Sequence, residues 1–498
     1  MKSPLSQRCS FGPDSSPLIH TEGAVFNSRR DFLVRSGLGF GGLSLAALFG
    51  INPFDLHGAP VSLNPAASAG ARGPLAPRAP HFKSKVKAVI QIHAGGAPST
   101  VDTWDHKPEL TKANGQKIPG YEGVALASPF TFSKQGKSGI EVSEIFPELG
   151  KHVDSMAIIK SLFTEIPDHE IASKMLHTGS PQLPKPSLGS WVTYGLGSVN
   201  QNMPGFISLG GSPYFRQCAF LPGIYQGCNV NYDPTAPLST ILANIRSEFS
   251  TMDRQRRQIN FAAASNMEHA MKLQKDDQLD ARIQAFEIAF KMQTEATDAF
   301  DISKESEATR EKYMGPATGS YSNAMKSTRA NGAKMLVARR LVERGVRFIQ
   351  IGTGGWDNHE NIAVTAKAAA AEVDVPIAAL LSDLKESGLL DSTLVIWGGE
   401  FGRTVTQQGG GAGSPGRDHN GKAMVTWMAG GGVKPGTTYG ATDEFGGRAA
   451  ENQMHIHDLH ATMLALMGFD HTKLIYNYNG RDFRLTDNFG NVVKEIIA

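Results

Sequence analysis

Short β-branched runs alternate along this chain with longer segments of helical periodicity. Val86 to His93 (Val-Lys-Ala-Val-Ile-Gln-Ile-His) predicts a first strand, ended by Ala94-Gly95-Gly96. Ala157-Ile158-Ile159-Lys160 predicts a second. Phe206-Ile207-Ser208-Leu209, stopped by Gly210-Gly211, predicts a third. Ile171 to His177 has helical spacing and meets Thr178-Gly179, with Gly179 as its C-cap. Between Leu238 and Lys312 glycine nearly vanishes, and Ala, Gln, Glu, Lys and Met dominate. That change predicts two or three helices inserted into the framework, over about residues 238–330. The alternation then resumes. It gives a helix from Gly332 to Arg344, a strand from Val346 to Ile351, a helix from Ala363 to Ser387, a strand from Thr393 to Trp397 and a helix from His457 to Met467. Pro376 should break or kink the long helix near Val375. This order predicts an α/β fold with a mostly parallel sheet covered on both faces.

Composition sharpens the picture in three ways. The 54 glycines among 498 residues exceed the usual share of about 7% and suit many tight turns. Forty-nine Lys and Arg face 47 Asp and Glu, which leaves no electrostatic footprint for nucleic acid or an acidic membrane surface. The three cysteines, Cys9, Cys218 and Cys228, have no metal-thiolate spacing; a Cys218–Cys228 disulfide is open to an exported protein. The N-terminus predicts export. Ser28-Arg29-Arg30-Asp31-Phe32-Leu33 is a twin-arginine pattern, followed by a weakly apolar stretch from Gly37 to Ile51 and by Ala67-Ser68-Ala69 as a cleavage site. Residues 1–69 are therefore expected to be a leader, 70–85 a linker and 86–498 the mature domain, in the periplasm or cell envelope. The apolar stretch is too short and glycine-rich for a permanent membrane span.

Candidate chemistry collects beside the strands. Asp357 and His359 follow the run Val346 to Ile351 through Gly354-Gly355. Separated by one residue, they point to one side of an extended segment and can bind one ion; the alternative is a turn in which Asp357 caps the next helix. Glu400 follows Leu394 to Trp397 through Gly398-Gly399, either as a ligand or acid/base group or as an ion-pair partner of Arg403. His419, after the glycine tract 409–416, sits under a potential lid or in a plain surface loop. His457 and His460 share a helix face and suit metal binding or capping equally. Ser99 and Thr100 lack a nearby base and are better read as caps than as nucleophiles. Imidazole with carboxylate suits Zn²⁺, Mn²⁺ or Fe better than Ca²⁺.

As a set, these motifs resemble a known family. They are the twin-arginine leader, Gly-Gly-Ala-Pro-Ser-Thr-Val-Asp102-Thr-Trp-Asp105, Asp168-His169, Gly-Gly-Trp-Asp357-Asn-His359, Trp-Gly-Gly-Glu400-Phe-Gly-Arg403-Thr, Gly-Arg417-Asp418-His419, His457-Asp458-Leu-His460-Ala-Thr and Asn479-Gly-Arg481-Asp482-Phe-Arg484-Leu-Thr. The chain is similar, from about Val86 to its end, to the bacterial domain-of-unknown-function family number 1501. That family is placed with the alkaline phosphatase-like and sulfatase-like fold. The resemblance implies an α/β/α sandwich around a mostly parallel sheet, with a helical insertion and a metal site at the strand ends. In that superfamily the nucleophile lies ten residues before the glycine of a Thr-Gly helix end, and counting back from Gly179 gives His169. The Asp-plus-His pair matches Asp357 and His359. The later Asp-His pair corresponds to Glu400-Phe401, which keeps only the carboxylate. The late His matches His419, and Asp102 is what the chain offers for the first-strand Asp.

The function this implies is metal-dependent hydrolysis of a phosphate or sulfate ester outside the cytoplasm. Asp102, Asp357, His359, Glu400 and His419 are the expected ligands of one or two divalent ions, Zn²⁺ first, with Mn²⁺, Ca²⁺ or Fe as alternatives. Arg403 or Arg417 would grip the anion. His169 would be a ligand, an acid/base group or a covalent nucleophile. The expected partner is an anionic ester, a sulfated polysaccharide among the candidates, and no nucleic acid. The other reading is a non-catalytic exported binding or surface protein on a degenerate hydrolase fold.

Overall fold

The β-branched runs pair edge to edge. The computed structural model describes residues 74–182, 184–241, 250–273, 287–288, 290–291, 297–316, 323–408 and 415–498. The strands used below are β1 (Ala88–Ala94), β2 (Met156–Phe163), β3 (Phe206–Leu209), β4 (Cys228–Asn229), β5 (Phe348–Thr353), β6 (Thr393–Gly398), β7 (Gly402–Gln408), β8 (Gly416–Asn420), β9 (Met424–Ala429), β10 (Thr437–Tyr439) and β11 (Met454–His455). Nine of them form one sheet in the order β10-β2-β9-β6-β1-β5-β3-β4, with β11 also beside β2. Strand β9 runs antiparallel to β2 and β6, whereas the other pairings in the sheet are parallel. Strands β7 and β8 form a separate antiparallel pair. Every residue of β1 and of β9 is buried. Successive side chains point to opposite faces, so both faces of the sheet are covered. The fold is the α/β class expected from the alternation.

The helices used below are α1 (His169–Thr178), α2 (Met252–Leu273), α3 (Glu307–Met314), α4 (Asn323–Glu343), α5 (Ile362–Ala371), α6 (Asp374–Glu386) and α7 (Ile456–Leu466). Helix α1 opens with Asp168, whose carboxylate accepts from the Ile171 N–H at 3.0 Å, and closes on Gly179 at φ 66°. The predicted helix from Ala363 to Ser387 is two helices. The break falls at residues 372–373, a turn before Pro376, because the ring would clash with the carbonyl four residues back. Pro376 itself sits in the first turn of α6, where its missing N–H would have had no helical partner. Helices α2 and α3 lie in the predicted helical insertion, part of which falls outside the described residues. The leader with Arg29 and Arg30, and most of the glycine tract before His419, also lie outside them. Cys218 and Cys228 are free thiols. Among the described residues no helix is long and apolar enough to cross a membrane.

Helix α4 begins at Asn323, well before the glycine expected to start it. Gly332 is interior, and a Cβ built there would stand 2.2 Å from the Tyr313 carbonyl oxygen of α3. The glycine marks a close helix crossing. Alanine favours an isolated helix by about 1 kcal/mol over glycine, yet here the overlap with a backbone oxygen should decide the sign. Gly332→Ala is expected to destabilise the protein by about 1–3 kcal/mol, measured by urea unfolding. A stability gain would show that the α3–α4 crossing relaxes freely.

Candidate metal centre

Three adjacent parallel strands end level with one another. In register, His93 of β1 stands beside Gly352 of β5 and Gly398 of β6. The loops that follow therefore leave the sheet at one place, the carboxyl edge where α/β folds bind ligands. Gly96 lets two of them touch: its φ is 99°, and a Cβ there would lie 2.5 Å from the Asp357 N. Trp356 is fully buried and packs edge-on to Trp397 at 5.8 Å, which anchors the β5 loop and projects Asp357 outward. His169 arrives from the N-terminus of α1. His419 stands opposite Arg403 in the β7–β8 ladder.

These elements bring together His169, Asp357, His359 and His419, with one potential ligand atom from each and all four atoms within 4.8 Å of one another. Asp357 Oδ1 lies 2.8 Å from His359 Nε2, 3.2 Å from His169 Nε2 and 3.6 Å from His419 Nε2. The Nε2 atoms of His359 and His419 are 3.0 Å apart. The other ring nitrogens explain why these four atoms converge. His169 Nδ1 is bound to Glu400 Oε1 at 2.6 Å, His419 Nδ1 to the Pro167 carbonyl at 2.8 Å, and His359 Nδ1 to Gln408 Oε1. Each partner is an acceptor, so each Nδ1 carries a proton, and His359 Nε2 accepts from Arg403 Nη1 at 3.2 Å. The Arg403 guanidinium, which donates to Asp357 Oδ1 and to His359 Nε2, offsets part of the repulsion within this group, and His169 Nε2 and His419 Nε2 still face the same carboxylate oxygen. Ligands about 2.0–2.1 Å from a tetrahedral Zn²⁺ stand roughly 3.3 Å apart, close to the separations found. The donor set fits a divalent metal ion, and acceptors behind the imidazoles are the usual support of metal-bound histidine.

Charge is arranged around this group. Burial works to raise the Asp357 carboxyl, but the Arg403 guanidinium outweighs it and the pKa falls to about 2. The hydrogen bond to Glu400 raises the His169 pKa against the opposing effect of burial. Burial likewise works to raise the Glu400 carboxyl, and the bond from His169 overcomes it, so Glu400 titrates below its ordinary value. Burial lowers the pKa of His419, which keeps that ring neutral.

The structure brings together Asp357, His359 and His419, with His169 among them. Glu400 stands behind His169 instead of in the four-atom group. Asp102 is not brought in: it is fully buried and paired with Arg417, Nε to Oδ2 at 2.6 Å and Nη2 to Oδ1 at 3.0 Å, and it also accepts from Ser99 Oγ. Arg417 also donates to the Thr404 and Leu126 carbonyls, and its side chain is fully buried, away from any anion in solvent. Arg403 is also fully buried. It donates to the carbonyls of Ala97, Arg417 and Gly96, to Asp357 and, at 3.2 Å, to His359 Nε2, and so holds this group in place where an anion clamp was expected. His457 and His460 cap the end of α1, through the carbonyls of Gly179 at 3.0 Å and Leu176 at 2.7 Å. Sequence reasoning missed His93 and Gln408. His93 had a readable signal, an imidazole ending an apolar strand just before Gly95-Gly96. Gln408 had none, since its pairing with His359 exists only in the folded chain.

A family model described as a protein of unknown function (DUF1501) matches residues 86–497. No curated protein matches the chain. Among solved structures, the chain is similar to the lipoteichoic acid synthase LtaP from Listeria monocytogenes, at 9% identity and a TM-score of 0.34, over 81% of this chain and 76% of that one. It is similar to the PsFucS1 sulfatase from Pseudoalteromonas sp. at 13% identity and TM-score 0.31, over 88% and 72%. It is similar to the alkaline phosphatase from the Antarctic bacterium TAB5 at 14% identity and TM-score 0.29, over 72% and 94%.

Two variants separate scaffold from centre. Arg417→Ala leaves the Asp102 carboxylate buried and unpaired, and should cost about 3–5 kcal/mol of stability. His359→Ala should abolish Zn²⁺ retention with a much smaller loss in urea unfolding of the metal-free protein. Equal metal retention in wild type and His359→Ala would reject the ligand set.

Proposed function

This chain belongs to the DUF1501 family, a protein family of unknown function, and we propose that it is an exported, metal-dependent hydrolase of phosphate or sulfate esters. The observation that carries the reading is the convergence of the His169, His359 and His419 Nε2 atoms on Asp357 Oδ1 at the edge of a cavity. That cavity, of ≈ 600 Å³, is lined in part by His93, His169, Tyr214, Phe215, Asp357 and Glu400. His359 and His419 are not among its lining residues, so His169 is the imidazole of the four-atom group that faces the cavity.

Asp357, His359 and His419 would hold the ion, with Zn²⁺ favoured because the donors are mainly imidazole nitrogen. When bound, the ion supplies Lewis-acid polarisation of an ester oxygen and neutralises its charge. The remaining work falls to the chain's own side chains. Arg403 fixes the Asp357 carboxylate and offsets its charge. Glu400 holds the proton on His169 Nδ1, which leaves Nε2 free to take a proton from water or return one to a leaving group. Tyr214 and Phe215 form an apolar wall that limits water around the reacting ester. Export would follow from the Arg29-Arg30 leader.

The test uses Zn²⁺-loaded protein and aryl phosphate, bis-aryl phosphate and aryl sulfate substrates. Hydrolysis of at least one is expected, abolished by chelation. His169→Ala should keep its zinc and lose about 10²–10⁴ in kcat. Full zinc occupancy with no turnover of any ester would instead favour an exported binding protein on this fold. Arg29→Lys with Arg30→Lys should retain the protein in the cytoplasm, seen by fractionation; unchanged export would remove the twin-arginine route.

A further inference from the structure

Helix α1 borders a second cavity, of ≈ 690 Å³, and no residue lines both this one and the first. Phe163, Ile166, Met175 and Phe489 give it apolar walls. Phe489 is 61% exposed, yet it is held in place. Its ring stacks on the buried His457 at 5.0 Å and 11°. The Asp458 carboxylate ties down the loop that carries it, accepting from the Asn491 N–H at 2.6 Å and from the Asn491 side-chain amide at 3.2 Å. Gly490 lets that loop lie close to α7: its φ is 96°, and a Cβ there would stand 2.9 Å from the His457 carbonyl oxygen. A large ring fixed in position and left open on a cavity wall is a surface for stacking.

The charge on this lining is negative. Glu165 and Asp458 contribute to it, and among the described residues no lysine or arginine does. Neither acid forms an ion pair with a lysine or arginine among the described residues; the partner of Glu165 is His455. His455 Nδ1 accepts from the His457 N–H at 3.2 Å, so Nε2 carries a proton and donates it to Glu165 Oε2 at 3.0 Å. Burial works to raise the Glu165 carboxyl, but bonds from its own N–H and from His455 outweigh it, and it titrates below its ordinary value. The start of α7 would otherwise draw an anion. It is already capped, by Asp458 Oδ2 on the His455 N–H at 2.8 Å and by the His455 ring on the His457 N–H.

We propose that this cavity binds an organic cation, with an alkylated ammonium group held by the Glu165 carboxylate and the ring of Phe489. An aromatic face attracts a cation, and does so most strongly where water is displaced. Alkyl groups on the nitrogen weaken its hydration and bury apolar surface against Phe163, Ile166 and Met175. A neutral apolar ligand would use those walls and leave the two carboxylates without a counter-charge. The inference goes beyond the hydrolase reading, and stands whether or not the metal centre turns over esters.

The test is calorimetric titration of the full chain with choline, beside the neutral alcohol in which carbon replaces the choline nitrogen. Choline should bind saturably below about 10 mM, and the alcohol at least about threefold more weakly. Glu165→Gln and Phe489→Ala change exposed side chains, so both proteins should fold, and each should weaken choline binding about three- to tenfold. No saturation of the wild type by choline would overturn the site. Equal binding of the alcohol would overturn the cation and leave apolar contact only. Choline binding undiminished in either variant would put the cation elsewhere on the protein and overturn the assignment. If Phe489→Ala does not fold, checked by circular dichroism, Phe489→Leu carries the same comparison, because it keeps apolar bulk and removes the ring face.

Discussion

The level ending of β1, β5 and β6 is the constraint on which the rest depends. Parallel pairing sets His93, Gly352 and Gly398 side by side, so loops far apart in sequence leave the sheet together. A one-residue slip in any of these strands would turn its alternating side chains to the other face and carry its loop away from the group. The buried apolar residues of β1, β6 and β9 oppose such a slip, because each face of the sheet is packed. The core thus does more than stabilise: it fixes the coordinates of Asp357 and Glu400 to within a residue. The glycines beyond the strand ends let the loop backbones approach without side-chain interference.

The second determinant is what holds the imidazoles. His359 and His419 are steadied by neutral acceptors, an amide and a peptide carbonyl, whereas His169 is steadied by a carboxylate. This asymmetry divides the labour. Neutral support fixes a tautomer and leaves the ring an ordinary ligand. A carboxylate also raises the ring's basicity, which suits a group that must take up and release a proton. The arginines follow the same logic from the other side. Arg417 neutralises Asp102 and Arg403 neutralises Asp357, so guanidinium charge is spent on holding acids and none faces the cavity.

Much of this was legible in the sequence where the signal is local. The strands from Ala88, Met156, Phe206, Phe348 and Thr393 follow from short β-branched runs and their glycine stops. The Gly179 cap follows from helical spacing that meets Thr178-Gly179. The Asp357/His359 pair follows from the period of an extended chain. What could not be read is pairing across the fold. Asp102 and Arg417 are separated by more than three hundred residues, and a carboxylate near a strand end looks the same whether it meets a metal or a guanidinium. Gly332 looked like a helix start because glycine breaks helices on average, whereas here a crossing backbone requires it. His457 and His460 suited metal binding or capping equally, because i, i+3 histidines can do either; that the helix end they cap is the one at Gly179 was invisible.

These mismatches share a cause. A group of lone pairs 2.8–3.6 Å apart opposes folding by itself, as does the buried carboxylate of Glu400 with an unpartnered oxygen. Such groups persist only where surrounding packing over-determines their positions, and here the Arg403 guanidinium against Asp357 and His359 offsets part of the repulsion. Buried polar atoms without a hydrogen-bond partner gather at the carboxyl edge of β1, β5 and β6, in His93, His169, Trp356 and Glu400, and others are scattered through the fold. Imidazoles and carboxylates crowded together at one edge, in conflict with the ordinary rules of pairing, are the physical mark of a site as opposed to an error of folding. The stabilisation a divalent ion brings there would be folding energy as much as catalytic equipment, since the ligand set exists only in the folded chain.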